Sequence, residues 1–188
     1  METRFLRAIE GSEIGMGCMG FSHGYGQIPE REYSIGAIRD AYEYGCTFFD
    51  TAEVYGDVLY YPGHNEEIVG EAAEAFRKNV VLATKFHFRA EELQAGEEKY
   101  RIVRRHLEAS MKKLRTDYID LYYLHRVNDN VPVEEVAEVM GKLIKEGLIR
   151  GWGLSQVSGE TLERADRVAP VSAVQNLYNI LERDCETD

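Results

Sequence analysis

Four titratable side chains stand where apolar stretches of the sequence end. Asp50, Lys85 and His125 each close such a stretch, and Tyr55 follows Asp50 by five residues. A carboxyl group and a phenol at the end of a buried strand lose solvation, so each needs a polar partner, which neighbouring strands would supply. An acid, a phenol, an ammonium group and an imidazole gathered at one edge indicate a site for catalysis rather than for packing.

The elements that position these side chains alternate along the chain. Short apolar runs predict strands at residues 14–19, 46–50, 80–85, 118–124, 149–155 and 171–175. Helical spacing follows each of the first five strands, at residues 34–44, 65–76, 99–114, 133–146 and 158–168. Strands that alternate with helices form a parallel sheet, and strands that are apolar throughout are buried on both faces.

Glycine and polar residues mark several boundaries within this pattern. Gly11 and Ser12 predict the turn of a hairpin near the start of the chain. Asn65 and Ser158 predict the N-caps of two helices. The charged stretch 89–96 predicts a loop between a strand and a helix.

The polar residues at the strand ends decide between an open sheet and a barrel. Such residues close five successive predicted strands: Asp50, Lys85, His125, Ser155 and Gln175. Only a barrel brings all of those ends around one mouth. The sequence therefore predicts an α/β fold of the (β/α)8 TIM-barrel type, in a single domain over residues 1–188.

The length of the chain limits that barrel. A complete (β/α)8 barrel takes about 250 residues, whereas this chain has 188 residues and room for about six β/α units. We expect a truncated barrel, with unpaired edges at its first and sixth strands. Association of copies of the chain through those edges, swapping of elements between copies or an atypical closure of the barrel is expected.

The composition excludes several classes of protein. Hydrophobic residues at 44% and charged residues at 29% are typical of a globular domain. The net charge of −11 argues against a non-specific binder of nucleic acid or anionic membranes. No apolar run approaches the roughly 18 residues of a membrane span. The spacings of the cysteines and histidines indicate neither a disulfide framework nor a metal site, and a cytoplasmic location is expected.

These residues resemble the aldo-keto reductases, in which an acid and a tyrosine, then a lysine, then a histidine occupy successive strand ends. Asp50, Tyr55, Lys85 and His125 match that pattern. The resemblance is reinforced by residues 16–20, 63–67, 117–121, 151–155 and 174–179. It spans essentially the whole chain and covers the first six of the family's eight barrel units.

The resemblance implies an NADPH-dependent reductase of aldehydes and ketones. Tyr55 would be the general acid that gives a proton to the carbonyl oxygen, while the nicotinamide delivers hydride to the carbon. A tyrosine is a weak acid at neutral pH, and the ammonium group of Lys85 would stabilise its phenolate. Asp50 would keep Lys85 charged, and His125 would orient the carbonyl group of the small-molecule substrate.

The resemblance also implies a cofactor site beside these residues. Ser155 and Gln175 would bind the carboxamide of the nicotinamide next to Asp50, and Gln156 stands where the family often has asparagine. Residues 57–61 are an expected difference at the substrate rim, because related sequences often pass almost directly from the Tyr-Gly pair to the Pro-Gly-His-Asn stretch.

The sequence leaves two other hypotheses about the function open. The first is a lyase that forms a Schiff base on Lys85, because barrels often place such a lysine at a strand end. The second is a catalytically inert fragment that folds by self-association or with a partner, which the two missing units suggest.

Overall fold

The computed structural model describes residues 1–24 and 26–186. Its strands are β1 (Thr3–Leu6), β2 (Ile9–Ser12), β3 (Met16–Gly17), β4 (Phe48–Asp50), β5 (Val81–Phe86), β6 (Ile119–Leu124), β7 (Ile149–Ser155) and β8 (Ala173–Gln175). Its α-helices are α1 (Arg31–Glu43), α2 (His64–Ala73), α3 (Ala90–Gln94), α4 (Lys99–Lys113), α5 (Val133–Lys145) and α6 (Gly159–Val168). Short 3-10 helices lie at Met19–Phe21, Glu74–Asn79 and Asp184–Glu186.

Strands β3 to β8 form one parallel sheet, in which their spatial order is their order along the chain. A helix connects each strand to the next, as the alternating pattern predicts. Within the residues that the structure describes, the outer strands β3 and β8 each have one strand neighbour. The prediction of an α/β fold with six units of a (β/α)8 barrel is confirmed.

Alternation along each strand sorts the side chains between two layers. On β5, Leu82 and Phe86 join the large core that lies between the sheet and the helices. The alternate residues Val81 and Ala83 belong to a second, smaller cluster with Leu121 of β6 and Ile9 of β2. Successive side chains of a strand point to opposite faces, so the second cluster fills the inside of the barrel.

The hairpin β1–β2 closes the amino end of this interior. Its turn lies at Arg7 and Ala8, because Leu6 pairs with Ile9 and Arg7 has a φ of 54°. The predicted turn at Gly11 and Ser12 is wrong. Gly11 lies within β2, where a Cβ atom would come within 3.3 Å of the Phe48 ring, so the glycine permits a close approach rather than a turn.

The predictions for Asn65 and for residues 89–96 are wrong, and the prediction for Ser158 is confirmed. Asn65 lies inside α2, and Gly63 is the N-cap. The Asn65 side chain instead donates to the carbonyl of Cys18 and to Ser22 Oγ, at 2.8 Å each. The predicted loop 89–96 contains α3. Ser158 caps α6 as expected, because its Oγ accepts a hydrogen bond from the backbone of Thr161.

None of the helices in residues 1–24 and 26–186 combines the length and the apolar character that crossing a bilayer requires.

Candidate active site

The ammonium group of Lys85 lies at the centre of a buried polar cluster at the carboxyl end of β5. Nζ donates to Asp50 Oδ1 at 2.5 Å, to the carbonyl of Thr51 at 2.7 Å and to Tyr55 Oη at 3.2 Å. The lysine side chain is completely buried. An ammonium group has three protons, and three acceptors surround this one, so the geometry fits a charged lysine.

The carboxylate of Asp50 accepts hydrogen bonds from residues on two other strands, Lys85 on β5 and Gln175 on β8. Its Oδ1 accepts from Lys85, and its Oδ2 accepts from Nε2 of Gln175 at 3.2 Å. Burial raises the pKa of Asp50 above its ordinary value, and the ammonium group of Lys85 opposes that shift. The carboxyl group therefore depends on its two donors to carry a charge in this position.

His125 lies beside the phenol of Tyr55. The two rings meet edge to face, with their centroids 5.8 Å apart. The backbone N–H of His125 donates to the carbonyl of Phe86 at 2.7 Å, which continues the β5–β6 pairing and fixes the start of this loop. Burial, together with the charges of Lys85 and Arg126, lowers the pKa of His125 to about 4. The imidazole is therefore neutral at pH 7.

The ends of β7 and β8 add hydroxyl and amide groups to the same mouth. Ser155 pairs with Gln175 in the strand register. Ser155 Oγ accepts from Arg126 at 3.1 Å. Gln156 is exposed, has a φ of 55° and joins this edge through its backbone N–H, which donates to the Gln175 carbonyl.

Six of the predicted site residues thus meet at one edge, with different degrees of contact. Hydrogen bonds join Asp50, Tyr55, Lys85 and Gln175 in one network. His125 joins it through a ring contact, and Ser155 through its register with Gln175. The contacts of Gln156 with this group run through its backbone.

Glu53 and His106 lie next to this network, and the sequence analysis did not identify them as site residues. Glu53 lies between Asp50 and Tyr55 in the chain and is buried, and its carboxylate faces the buried ring of His106 on α4. Burial raises the pKa of Glu53, but hydrogen bonds from His106 and His87 outweigh it and bring the pKa to about 2. An acidic residue between two candidate site residues was the available signal.

The loop 57–61 forms an exposed rim beside Tyr55. Val58 is 79% exposed and Leu59 is 60% exposed. Behind them Tyr60 stacks on the His64 ring, with centroids 4.0 Å apart. The rim is therefore apolar at its tip and braced by aromatic contacts at its base.

Comparison with known proteins agrees with this geometry. The sequence pattern of the Aldo/keto reductase family matches residues 13–188. A probable aldo-keto reductase 1 of Glycine max is 37% identical over 187 residues, which cover 97% of this chain and 52% of that protein.

Solved structures share the fold. A thermostable aldo-keto reductase in complex with the inhibitor epalrestat superposes with a TM-score of 0.83 at 31% identity, over 100% of this chain and 66% of the other. An aldo-keto reductase from Klebsiella pneumoniae in complex with NADPH superposes with a TM-score of 0.81 at 32% identity, over 100% of this chain and 63% of the other. The chain thus spans about half to two thirds of the length of these relatives. It belongs to the aldo/keto reductase family.

Proposed function

We propose that this chain carries the catalytic residues of an NADPH-dependent reductase that converts aldehydes or ketones to alcohols. One observation carries the proposal. A buried ammonium group, that of Lys85, lies 2.5 Å from Asp50 Oδ1 and 3.2 Å from Tyr55 Oη. This arrangement supports proton transfer by a phenol that has a cation at its oxygen.

Tyr55 is the proposed proton donor to the carbonyl oxygen. The ammonium group of Lys85 can only donate, so Tyr55 Oη accepts that hydrogen bond and its own proton points elsewhere. As the proton leaves, negative charge grows on the phenol oxygen, and the nearby ammonium group stabilises it. The bound nicotinamide cofactor would supply the hydride.

Asp50 and the Thr51 carbonyl hold Lys85 in its charged form. A buried cation without partners would be strongly disfavoured, and these two acceptors lie 2.5 and 2.7 Å from Nζ. They also fix Nζ in one place, because each of its protons has a partner. Their proposed role is therefore to keep a positive charge next to Tyr55.

His125 is the proposed hydrogen-bond donor that orients the substrate. Its ring is neutral and lies edge to face against the phenol of Tyr55. A neutral imidazole still carries one N–H group, which can donate to the carbonyl oxygen that Tyr55 protonates. Two donors would then converge on one oxygen.

Ser155 and Gln175 are the proposed partners of the nicotinamide carboxamide, beside Asp50. A carboxamide presents two donors and one acceptor. The two residues pair across β7 and β8, and offer a hydroxyl group and an amide group next to the proton-transfer residues. These groups complement the donors and the acceptor of the carboxamide, and the exposed Gln156 lies next to them in the chain. The relative from Klebsiella pneumoniae was crystallised with NADPH.

The geometry favours this reaction over a Schiff-base lyase. A Schiff base requires an accessible, uncharged amine. The Lys85 side chain is completely buried and has three acceptors around Nζ. Failure to trap a carbonyl compound on Lys85 with borohydride would agree with this assignment.

Titration of the 188-residue chain with NADPH, followed by turnover of an aromatic aldehyde, tests the proposal. We expect Tyr55→Phe to bind NADPH but to lose at least about 100-fold in kcat, because general acid catalysis contributes roughly that much. Tyr33→Phe is the matched control, since Tyr33 is 68% exposed on α1. A folded chain that does not bind NADPH, or a Tyr55→Phe variant as active as Tyr33→Phe, would contradict the proposal.

The first of those results would instead support an inert or partner-dependent fragment. Association through β3 and β8 stays a prediction, and light scattering on the same sample tests it.

A further inference from the structure

Glu53 uses all of its polar groups to anchor the loop that carries Tyr55. Its N–H donates to the carbonyl of Lys85 at 3.1 Å, and its carbonyl accepts from Gly63 at 2.9 Å. In its side chain, Oε1 accepts from the backbone N–H of His87 at 3.2 Å, and Oε2 lies 2.6 Å from Nδ1 of His106. One residue thus joins the end of β5, the start of α2 and the helix α4.

The His106 ring lies between two carboxylates. Nδ1 faces Glu53, and Nε2 lies 2.9 and 3.1 Å from the two carboxylate oxygens of Glu92 on α3. Ionised carboxylates only accept hydrogen bonds, so both ring nitrogens must donate, and the ring is an imidazolium. The side chain is 5% exposed. A carboxylate–imidazolium–carboxylate chain therefore runs from α3 through α4 to the loop.

We propose that Glu53, held by the imidazolium of His106, which Glu92 holds in turn, is a positioning residue that sets the distance between Tyr55 Oη and Lys85 Nζ. The proposal rests on the proposed function, in which that 3.2 Å contact supports proton transfer. Glu53 stands two residues before Tyr55 and is bonded to the backbone of Lys85 and His87 on either side of Phe86. Glu53 therefore anchors both the loop that carries Tyr55 and the strand that carries Lys85.

The alternative role of these residues is stability alone. A loss of stability lowers the amount of folded protein, whereas a loss of position lowers the rate of the chemical step in protein that remains folded. Misplacement by about 1 Å can cost about 100-fold in rate. The two roles can therefore be separated by kcat at a fixed concentration of folded protein.

The kinetic test compares three variants of the chain. His106→Ala removes the imidazolium, and Glu53→Gln keeps the shape of the side chain but removes its charge. Arg104→Gln is the matched control, because Arg104 lies on the same helix and pairs with Glu108 and Glu146 at the surface. We expect kcat to fall at least tenfold in the first two variants, with KM within twofold of wild type, and to stay within twofold in the control.

A double variant tests whether the two residues act as one unit. Removing either member breaks the same anchor, so the loss in kcat for Glu53→Gln with His106→Ala should equal that of the worse single variant. Losses that multiply, or folded single variants with wild-type kcat, would overturn the proposal.

Two further measurements do not depend on activity. Nitrogen-15 NMR should show two N–H groups on the His106 ring at pH 7, and a ring with one N–H overturns the assignment. Hydrogen exchange of residues 51–63 should accelerate at least tenfold in His106→Ala but not in Arg104→Gln, and unchanged exchange overturns the positioning role. If the wild-type chain lacks turnover, the proposed function fails. The NMR and hydrogen-exchange results would still show whether Glu53 and His106 anchor the Tyr55 loop.

Discussion

Nε2 of Gln175 donates a hydrogen bond to Oδ2 of Asp50 at 3.2 Å, although 125 residues separate them. Asp50 ends β4 and Gln175 ends β8, and three strands lie between these two in the sheet. In a flat sheet, with strands about 4.8 Å apart, the two strands would lie roughly 19 Å from each other. The sheet is therefore curled enough for its strand ends to meet across one mouth, where Asp50 also receives Lys85.

Lys85→Met should destabilise the fold as well as abolish turnover. The change leaves the carboxyl group of Asp50 without its cation in a site where its side chain is 13% exposed. Breaking a buried ion pair in this way costs about 3–5 kcal/mol. We expect a lower midpoint in urea unfolding followed by circular dichroism.

The double variant Lys85→Met with Asp50→Asn is the control for that interpretation, because it removes both charges. It should regain much of the lost stability while turnover stays absent. A double variant no more stable than Lys85→Met would show that the buried charge of Asp50 is not the cause.

The pH dependence of stability should carry a signature of His125. Its pKa is about 4 in the fold, below the ordinary value of 6.5, so the unfolded chain binds the proton more readily. Stability should therefore fall as the pH drops from 6.5 towards 4. His125→Gln should lose that part of the dependence, as measured by denaturant midpoints across this range, and a ring that titrates near 6.5 by NMR would disprove it.

Glu66→Gln should stabilise the protein above neutral pH. Burial raises the pKa of Glu66 to about 7, from an ordinary value of 4.5, although the hydrogen bond from Thr84 acts against the shift. The stability that protonated Glu66 contributes is therefore complete below pH 4.5 and is lost as the pH rises through 7. The shift corresponds to about 3 kcal/mol at roughly 1.4 kcal/mol per pKa unit. In the wild-type chain, Thr84 Oγ1 donates to Glu66 Oε1 at 2.7 Å, and the carbonyl oxygen of the glutamine can accept the same hydrogen bond.

Urea unfolding at pH 5 and at pH 8.5 checks that prediction. The variant should gain stability at pH 8.5 relative to wild type and gain little at pH 5. Equal gains at the two pH values would mean that the charge of Glu66 does not matter.

Two glycines inside helices should respond to alanine in opposite ways. At Gly70 on α2, a Cβ atom would collide with the backbone carbonyl of Lys113 and lie 2.6 Å from the Leu114 Cα, so the two helix backbones would have to separate. At Gly36 on α1, no other part of the described structure lies within 4 Å of an added Cβ atom. We expect Gly70→Ala to destabilise by about 1–3 kcal/mol or more.

Gly36→Ala should stabilise by about 0.5–1 kcal/mol, because alanine is the better helix former. Thermal unfolding of both variants measures the contrast. Shifts of the same sign would refute the packing argument for Gly70.

Patterns of alternation and strand ends were enough to predict the six parallel strands and the barrel type, whereas the family came from a resemblance to known motifs. They worked because inward positions on a strand repeat every second residue, so Lys85 continues the row of Val81 and Ala83. Local signals worked less well. Glycine permits both turns and close approaches of the backbone, so Gly11 by itself does not distinguish the two. The side chain of an asparagine such as Asn65 can hydrogen-bond to a loop as well as to the end of a helix.

The anchor of the Tyr55 loop could not be predicted in the same way. Glu53 and His106 are 53 residues apart, and their pairing depends on how α4 lies over the sheet. In the sequence, His106 falls on the apolar face of a helix, where a histidine is an ordinary core residue. The charge of the ring follows only from the two carboxylates that the fold brings to it.

The position of the hairpin has a consequence for how the chain folds. Arg7 donates to the carbonyl of Val171 at 2.6 Å and pairs with Asp166, across 164 and 159 residues. Contacts between such distant residues raise the contact order and slow folding. These two contacts of the hairpin can form only after residues 166–171 have been synthesised. The β1–β2 hairpin therefore completes its docking only when the two ends of the sheet come together.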